Sequence, residues 1–138
     1  MRIDDKITEY FRTRARGVVA VYIFGSEASG KSLPGSDVDI AILFDNHDQN
    51  SIRSGIEAVL VGLPRILKRD VHPVAMNVIG EILLKQILSK GRCLLVNDRR
   101  KLSEFKMVAL ARIAAFGYYH KRMQAGLIRS VLEARPYG

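Results

Sequence analysis

Apolar residues recur along the chain with two different periods, and the switches between them predict the order of elements. Ile3, Ile7, Tyr10 and Phe11 fall at helical spacing, which predicts an amphipathic helix over residues 4–15, stopped by Arg16-Gly17. Val18–Phe24 and Val38–Phe44 are continuous, β-branched apolar runs, the pattern of strands buried on both faces. Between them, 25–36 is rich in Gly and Ser and reads as a loop with room for one helical turn. A polar turn at 45–48 leads to a helix marked by Ile52, Ile56, Val59, Leu60 and Leu63 and expected to end near Pro64. Val71–Met76 reads as a third strand, placed at an edge or bulge by Pro73. Ile79, Ile82, Leu83 and Ile87 mark a helix closed by Gly91 in the C-cap position. Cys93–Val96 reads as a short fourth strand. From Leu102 to about Leu132 the pattern is helical again, with Gly117 and Gly126 as points where it is expected to kink or split. The resulting order is α-β-loop-β-α-β-α-β-α, a small α/β (α+β) domain with a mixed sheet, flanking helices and a C-terminal helical extension.

A length of 138 residues suits one domain. The expected division is a core over 1–97 and a basic extension over 98–138 that packs on the core, on a partner, or on both. The single cysteine, Cys93, rules out an internal disulfide framework and a multi-cysteine zinc site. His47, His72 and His120 stand at no metal-ligand spacing. No apolar run approaches the roughly 18 residues of a membrane helix, and the first residues lack the apolar stretch of a signal peptide. The expectation is a cytoplasmic protein with no membrane association. The formal charge of +8 is uneven. From Asp98 onward nine Lys and Arg stand against three Asp and Glu, a net +6, which leaves +2 for the first 97 residues. Such a stripe fits an acidic partner or a solvated helix face. Few aromatics lie beside the basic residues of the body, so charge alone does not argue for a nucleic-acid binder.

Chemistry concentrates in the segment 25–39. Gly25, Gly30, Lys31 and Ser32 fit the spacing of a phosphate loop after a strand. A phosphate loop must open into a long helix whose first amides hold the phosphates. Leu33-Pro34-Gly35 follows instead, and no helix begun at Lys31 runs past its first turn through that sequence. The other pattern spans the whole segment. Asp37 and Asp39 are two apart at the start of a strand, so both carboxylates project to one face. Two such carboxylates repel unless a cation bridges them, and magnesium suits one or two carboxylates plus substrate phosphates. Gly25 and Ser26, at the end of the neighbouring strand, allow close approach of a phosphate and add a hydroxyl donor. Taken singly, an Asp-x-Asp is as well explained by strand capping and a Gly-Ser by an ordinary turn. Together they describe a site for a metal-bound nucleoside triphosphate.

Gly25-Ser26, a ten-residue spacer and Asp37-Val38-Asp39 resemble the G-S-X10-D-X-D signature of the minimal nucleotidyltransferases, in the polymerase-β-like superfamily. Ala28, Gly30 and the Ser36-Asp37 pair extend the likeness. More loosely it runs through the helix at 79–89, Gly91 and the strand at 93–96, covering about the first 96 residues. The resemblance implies that Gly25 and Ser26, helped by Ser36, hold a triphosphate, and that Asp37 and Asp39 bind one or two magnesium ions. The reaction implied is attack of an acceptor oxygen on the α-phosphate of ATP, with transfer of AMP and release of pyrophosphate. The family often carries an arginine at the position of Ser29; here Lys31 supplies the charge. A third carboxylate usually stands on a later strand. The corresponding position here is His72, with Asp70 two residues earlier. A shifted Asp70, His72 as base, or a weakened site all remain open, and Asp70 is equally explained by surface pairing with Lys68 or Arg69.

Small stand-alone members of this family are often antitoxins paired with a helical HEPN-domain toxin, to which they are thought to transfer AMP at a tyrosine. The expected partner is accordingly a HEPN-type toxin, docked on the C-terminal helix through Phe105, Phe116, Tyr118, Tyr119 and Met123. The same face also suits an oligomer or simple packing on the sheet. Alternatives are a non-catalytic antitoxin that acts by docking and a small-molecule transferase of the aminoglycoside type, for whose acceptor pocket the chain has little material to spare. Direct nucleic-acid binding is not expected, since no RNA- or DNA-reading module is recognisable.

Overall fold

The computed structural model describes residues 1–14, 16–33 and 35–133. Helix α1 spans Ile3–Arg14, strand β1 Val18–Phe24, the short helix α2 Gly25–Ser29 and strand β2 Val38–Phe44. Then come α3 (Gln49–Leu67), β3 (Val71–Ala75), α4 (Glu81–Lys90), β4 (Arg92–Val96) and α5 (Arg99–Glu133). The end of the extension expected to reach residue 138 lies outside the described residues, as does residue 15 of the first helix.

The four strands form one mixed sheet in the order β3-β2-β1-β4. β1 runs antiparallel to β2 and to β4. β3 lies parallel to β2 because α3 carries the chain back across the sheet between them, as a parallel pair requires. The central strand β1 is buried at all seven positions, which explains its unbroken apolar run. One face of the sheet packs on α1 and α3, joining Ile7 and Phe11 to Val21, Ile23, Ile40 and Leu63. The other packs on α4 and the first turns of α5, joining Tyr22, Ala41 and Leu43 to Leu84, Ile87 and Leu102. Pro73 sits on the edge strand β3, where a missing amide costs no ladder bond on the outer side.

Three element ends depart from the sequence pattern. α3 continues through Pro64 to Leu67. The proline gives up one helical bond, but the extra turn buries Leu67 beside Leu63. It closes on Lys68 in the left-handed conformation, whose amide donates to the Pro64 carbonyl at 2.8 Å. Gly91 does occupy the C-cap of α4, but with φ −74° rather than left-handed. A Cβ there would press into the Ile87 carbonyl and lie 3.1 Å from that of Ile23, so glycine is needed for space. Finally, α5 does not split at Gly117 or Gly126 but runs as one helix of 35 residues, about 52 Å long. Two isolated glycines cost about 1 kcal/mol each, which does not break a helix that long. Leu102 and Ala109 are buried, whereas every described residue from Tyr118 to Leu132 is exposed. Among the described residues no helix is long and apolar enough to cross a membrane.

Candidate active site

β1 ends and β2 begins at the same end of the sheet, and their antiparallel register sets Phe24 opposite Asp39. The next residue, Gly25, adopts φ +70°, a left-handed backbone that side chains disfavour. The Asp39 carboxylate packs directly against it. A Cβ on Gly25 would collide with Asp39 Oδ2, so this position is closed to larger residues twice over. Ser26 follows in the first turn of α2, half-buried.

α2 is only five residues long and ends at Gly30 in the left-handed conformation. The Lys31 amide donates back to the Ser26 carbonyl at 3.0 Å, and the chain from Lys31 onward is not helical. A phosphate loop of the Gly-x4-Gly-Lys-Ser kind, which needs a long helix at this point, is therefore not what this segment forms. Lys31 is exposed at the lip of the turn. The Ser36 amide donates to the Leu33 carbonyl at 2.9 Å, and its Oγ accepts from the Leu33 amide at 3.0 Å. The Ser36 side chain thus closes the loop just before Asp37.

Arg69, between α3 and β3, holds this loop down. Its Nε and Nη2 donate to the Ser36 carbonyl at 3.1 and 2.8 Å, and Nη2 also reaches Glu27 Oε2 at 3.2 Å. The Ser32 hydroxyl and the Arg69 guanidinium together hold the Glu27 carboxyl below its ordinary range. Neither Glu27 nor Arg69 stood out in the sequence. They are 42 residues apart, and the only hint was a single acid inside the Gly- and Ser-rich segment 25–36.

Asp39 is the second residue of β2, with its side chain 26 % exposed, whereas Asp37 precedes the strand and is exposed, so strand alternation does not fix the two carboxylates on one face as the sequence pattern predicts. The parallel pairing with β3 sets His72 opposite Asp39. His72 Nδ1 lies 3.2 Å from Asp39 Oδ1, so the two carboxylate oxygens face different neighbours: Oδ1 the imidazole, Oδ2 the Gly25 turn. Asp70 is exposed just ahead of β3, and its carbonyl accepts the Val38 amide at 2.9 Å. Arg69 is committed to Glu27 and Ser36 instead of to its neighbour Asp70. Of the two residues weighed for the third position, His72 is the one that touches Asp39.

Among the described residues, no three carboxylate, imidazole or thiolate groups form a ready-made metal cage. The donor set nevertheless suits a divalent cation that takes most of its ligands from phosphate and water: two carboxylates two residues apart in the chain, one of them fixed against a glycine turn. A cavity of about 440 Å³ lies at the other end of β2, lined by Leu43, Asp45, Lys101 and Phe105. It shares no residue with this site.

The whole fold recurs in known structures. A chain of a toxin–antitoxin structure with AMP-PNP matches at TM-score 0.71 and 23% identity, over 95% of this chain and 99% of that one. A chain of the MntA-HepT toxin–antitoxin matches at TM-score 0.61 and 22% identity, covering 94% and 96%. So does one from the complex of a tri-AMPylated Shewanella oneidensis HEPN toxin with its MNT antitoxin, at TM-score 0.61 and 22% identity over 94% and 95%. Among curated proteins none matches the chain. The profile of the polymerase beta, nucleotidyltransferase family matches residues 5–100, which include the Gly25-Ser26 turn and both aspartates, and the chain belongs to that family.

Proposed function

We propose that this protein transfers AMP from ATP to a hydroxyl of a partner protein, a tyrosine of a HEPN-type toxin, and so acts as an antitoxin. The observation that carries the reading is the closure of the Gly25 turn on the Asp39 carboxylate. A tight glycine turn against the Asp39 carboxylate, with Asp37 two residues away in the chain, supports a phosphate-binding turn at this point. Membership of the nucleotidyltransferase family supports the reaction class. The partner is supported by structures of the same fold with HEPN toxins, one of them AMPylated.

In this reading Gly25 and Ser26 bind the triphosphate through backbone amides and a hydroxyl. Lys31, exposed at the lip, adds positive charge, and Ser36 orders the segment that delivers Asp37. Asp37 and Asp39 hold magnesium, which when bound neutralises charge on the phosphoryl oxygens and orients the α-phosphate. The acceptor oxygen attacks the α-phosphorus, the bond to the β-phosphate bridging oxygen breaks, and pyrophosphate leaves. Asp70, exposed just ahead of β3, is in this reading the carboxylate that takes the acceptor proton through water. The core of residues 1–97 carries the chemistry, and the basic extension from residue 98 docks the partner.

The test is transfer of label from α-labelled ATP to the co-purified toxin. The Asp37→Asn/Asp39→Asn double variant is expected to lose transfer by about 10²–10³-fold, the scale of a lost electrostatic stabiliser, while keeping the wild-type melting curve. Undiminished transfer would remove the site assignment. A second reading, neutralisation by docking alone, is favoured by one observation, the imidazole of His72 beside Asp39 where a third acid is expected. It predicts that the double variant still neutralises the toxin.

A further inference from the structure

We propose that Arg69 is the positioning residue for Asp37, the aspartate that stands outside the sheet ladder, and so sets how tightly the site holds a metal-bound nucleotide. The inference rests on the reading of Asp37 and Asp39 as metal ligands given above.

Asp39 is held by its neighbours. It stands in the ladder opposite Phe24 on one side and His72 on the other, and its carboxylate lies against the Gly25 turn. Asp37 precedes β2 and has none of these supports. The loop that delivers it contains Gly30 and Gly35, both left-handed, and a Cβ at either would meet nothing within 4 Å. Such a segment packs on little and keeps much of its backbone freedom. What holds Asp37 is the pair Arg69-Asp70. Arg69 Nε and Nη2 donate to the carbonyl of Ser36, the residue before Asp37, at 3.1 and 2.8 Å. The Asp70 carbonyl accepts the amide of Val38, the residue after Asp37, at 2.9 Å. The Ser36 carbonyl and the Val38 amide belong to the two peptide planes that meet at the Asp37 Cα. Fixing both planes fixes φ and ψ of Asp37, and with them the direction of its Cβ.

The guanidinium suits this task because of its shape. Two nitrogens on one carbonyl oxygen set the direction of approach, where an ammonium gives a point contact. Glu27 Oε2 takes Nη2 at 3.2 Å and steadies the fork. The Arg69 and Glu27 side chains are 22 % and 13 % exposed, so water competes little for these bonds. Glu27 directly follows Ser26, so one side chain spans both halves of the site: the residue after the phosphate-binding turn and the residue before Asp37. The competing account is electrostatic, a cation that attracts a triphosphate whatever its own geometry. On that account the metal-free nucleotide, which carries more charge, depends on Arg69 at least as much as the metal-bound one. Positioning requires the reverse, because Asp37 meets the phosphates only through a metal.

The experiment titrates α,β-methylene ATP, a non-hydrolysable analogue, into the full chain by calorimetry, once with Mg²⁺ and once with a chelator. The readout is the ratio of the two affinities. Arg69→Ala is expected to lose about 10–100-fold of the affinity measured with Mg²⁺, the scale for a residue that orients a metal ligand, and much less in the chelator arm. Arg69→Lys keeps the charge and the pair with Glu27 but not the fork. It should stay folded even where Arg69→Ala proves too unstable to titrate, and its ratio should fall in the same way. Circular dichroism at the titration temperature checks that each variant is folded. A wild-type ratio in either variant, or an equal fall in both arms, overturns the proposal. A separate outcome bears on the reading beneath it. A wild type that does not bind the analogue, or binds it no more tightly with Mg²⁺, defeats the nucleotidyltransferase site whatever Arg69 does.

Discussion

Gly25 carries the strictest single-residue demand in the site. Its backbone is left-handed and its missing Cβ is the space occupied by the Asp39 carboxylate. Gly25→Ala must strain the turn, displace Asp39, or do both. The strain alone costs about 1–2 kcal/mol. The expected outcome is a modest drop in urea-melt stability and a much larger loss of AMP transfer, since the displaced group is a metal-binding candidate. A variant that melts lower yet transfers at the wild-type rate would show that the contact is structural only. Much of this residue-level picture was legible in the sequence. Gly25, Ser26, Asp37 and Asp39 were identifiable because the two-residue step between the aspartates and the spacer length are properties of the local chain. The third position was half legible: a likeness in the later helix pointed to His72, but only the strand register brings it to Asp39. The Glu27–Arg69 pair was not legible, because nothing local ties a turn residue to one 42 positions away.

Among the elements, the loop from α2 to β2 depends most on a distant residue. Arg69 ties the Ser36 carbonyl and Glu27 together across it, with both side chains less than a quarter exposed. Arg69→Ala is expected to lower stability by about 1–3 kcal/mol, the range for charge-assisted bonds in partly buried sites, and to open the loop to limited proteolysis. A sign follows for pH. Glu27 is held below its ordinary value of 4.5 by Ser32 and Arg69. A carboxyl depressed in the folded state contributes stability above its unfolded value and loses it as pH falls through the folded one. Thermal melts of the wild type should therefore decline as pH drops below 4.5. The Arg69→Ala variant should start lower and decline less, with the Ser32 bond leaving a residual slope. Equal slopes would place the acid sensitivity elsewhere.

Helix ends were the least legible part of the fold, for reasons specific to each. Pro64 reads as a stop, and the burial of Leu67 overrides it. The opposite case is α5, where Gly117 and Gly126 read as breaks but no neighbouring atoms lie within 4 Å of either absent Cβ. Replacing both by alanine should add helicity at 222 nm, since each alanine favours the helix by about 1 kcal/mol. The melting temperature of the core should hardly move, because the distal helix does not touch it. A large rise in melting temperature would mean that this segment packs on the body in solution. By contrast, Gly91→Ala should destabilise strongly, since its Cβ has only the carbonyls of Ile87 and Ile23 to meet.

At the scale of the molecule, the charge asymmetry and the packing asymmetry coincide. The body carries +2 and the extension +6, and beyond Gly117 every described residue of the extension is exposed. Arg112 still pairs with Glu81 on α4 at 2.7 Å, and Phe116 still lines a hollow against Ile82 and Leu83. Past that point Tyr118, Tyr119, Met123, Leu127, Ile128, Val131 and Leu132 are all exposed, interleaved with Lys121, Arg122 and Arg129. A protein on its own gains nothing from holding that much apolar surface in water. A partner with an apolar groove and an acidic rim gains both burial and charge complementarity. Ending the chain after Gly117 removes residues 118–132, all of them exposed, together with the residues that follow them. The shortened protein is expected to melt within a few degrees of the full chain and to bind Mg²⁺ and α,β-methylene ATP as before. Its complex with the proposed toxin partner should be lost, or weakened enough to dissociate on size exclusion. Because the basic residues steer the encounter, association of the full chain should slow as salt is raised past about 0.15 M. The shortened chain loses Lys121, Arg122, Arg129 and Arg135 but keeps the basic residues between Arg99 and Arg112, so it should show a weaker form of that dependence. If truncation instead lowers the melting temperature sharply, the distal helix belongs to the fold of the body, and the partner must be sought on another face.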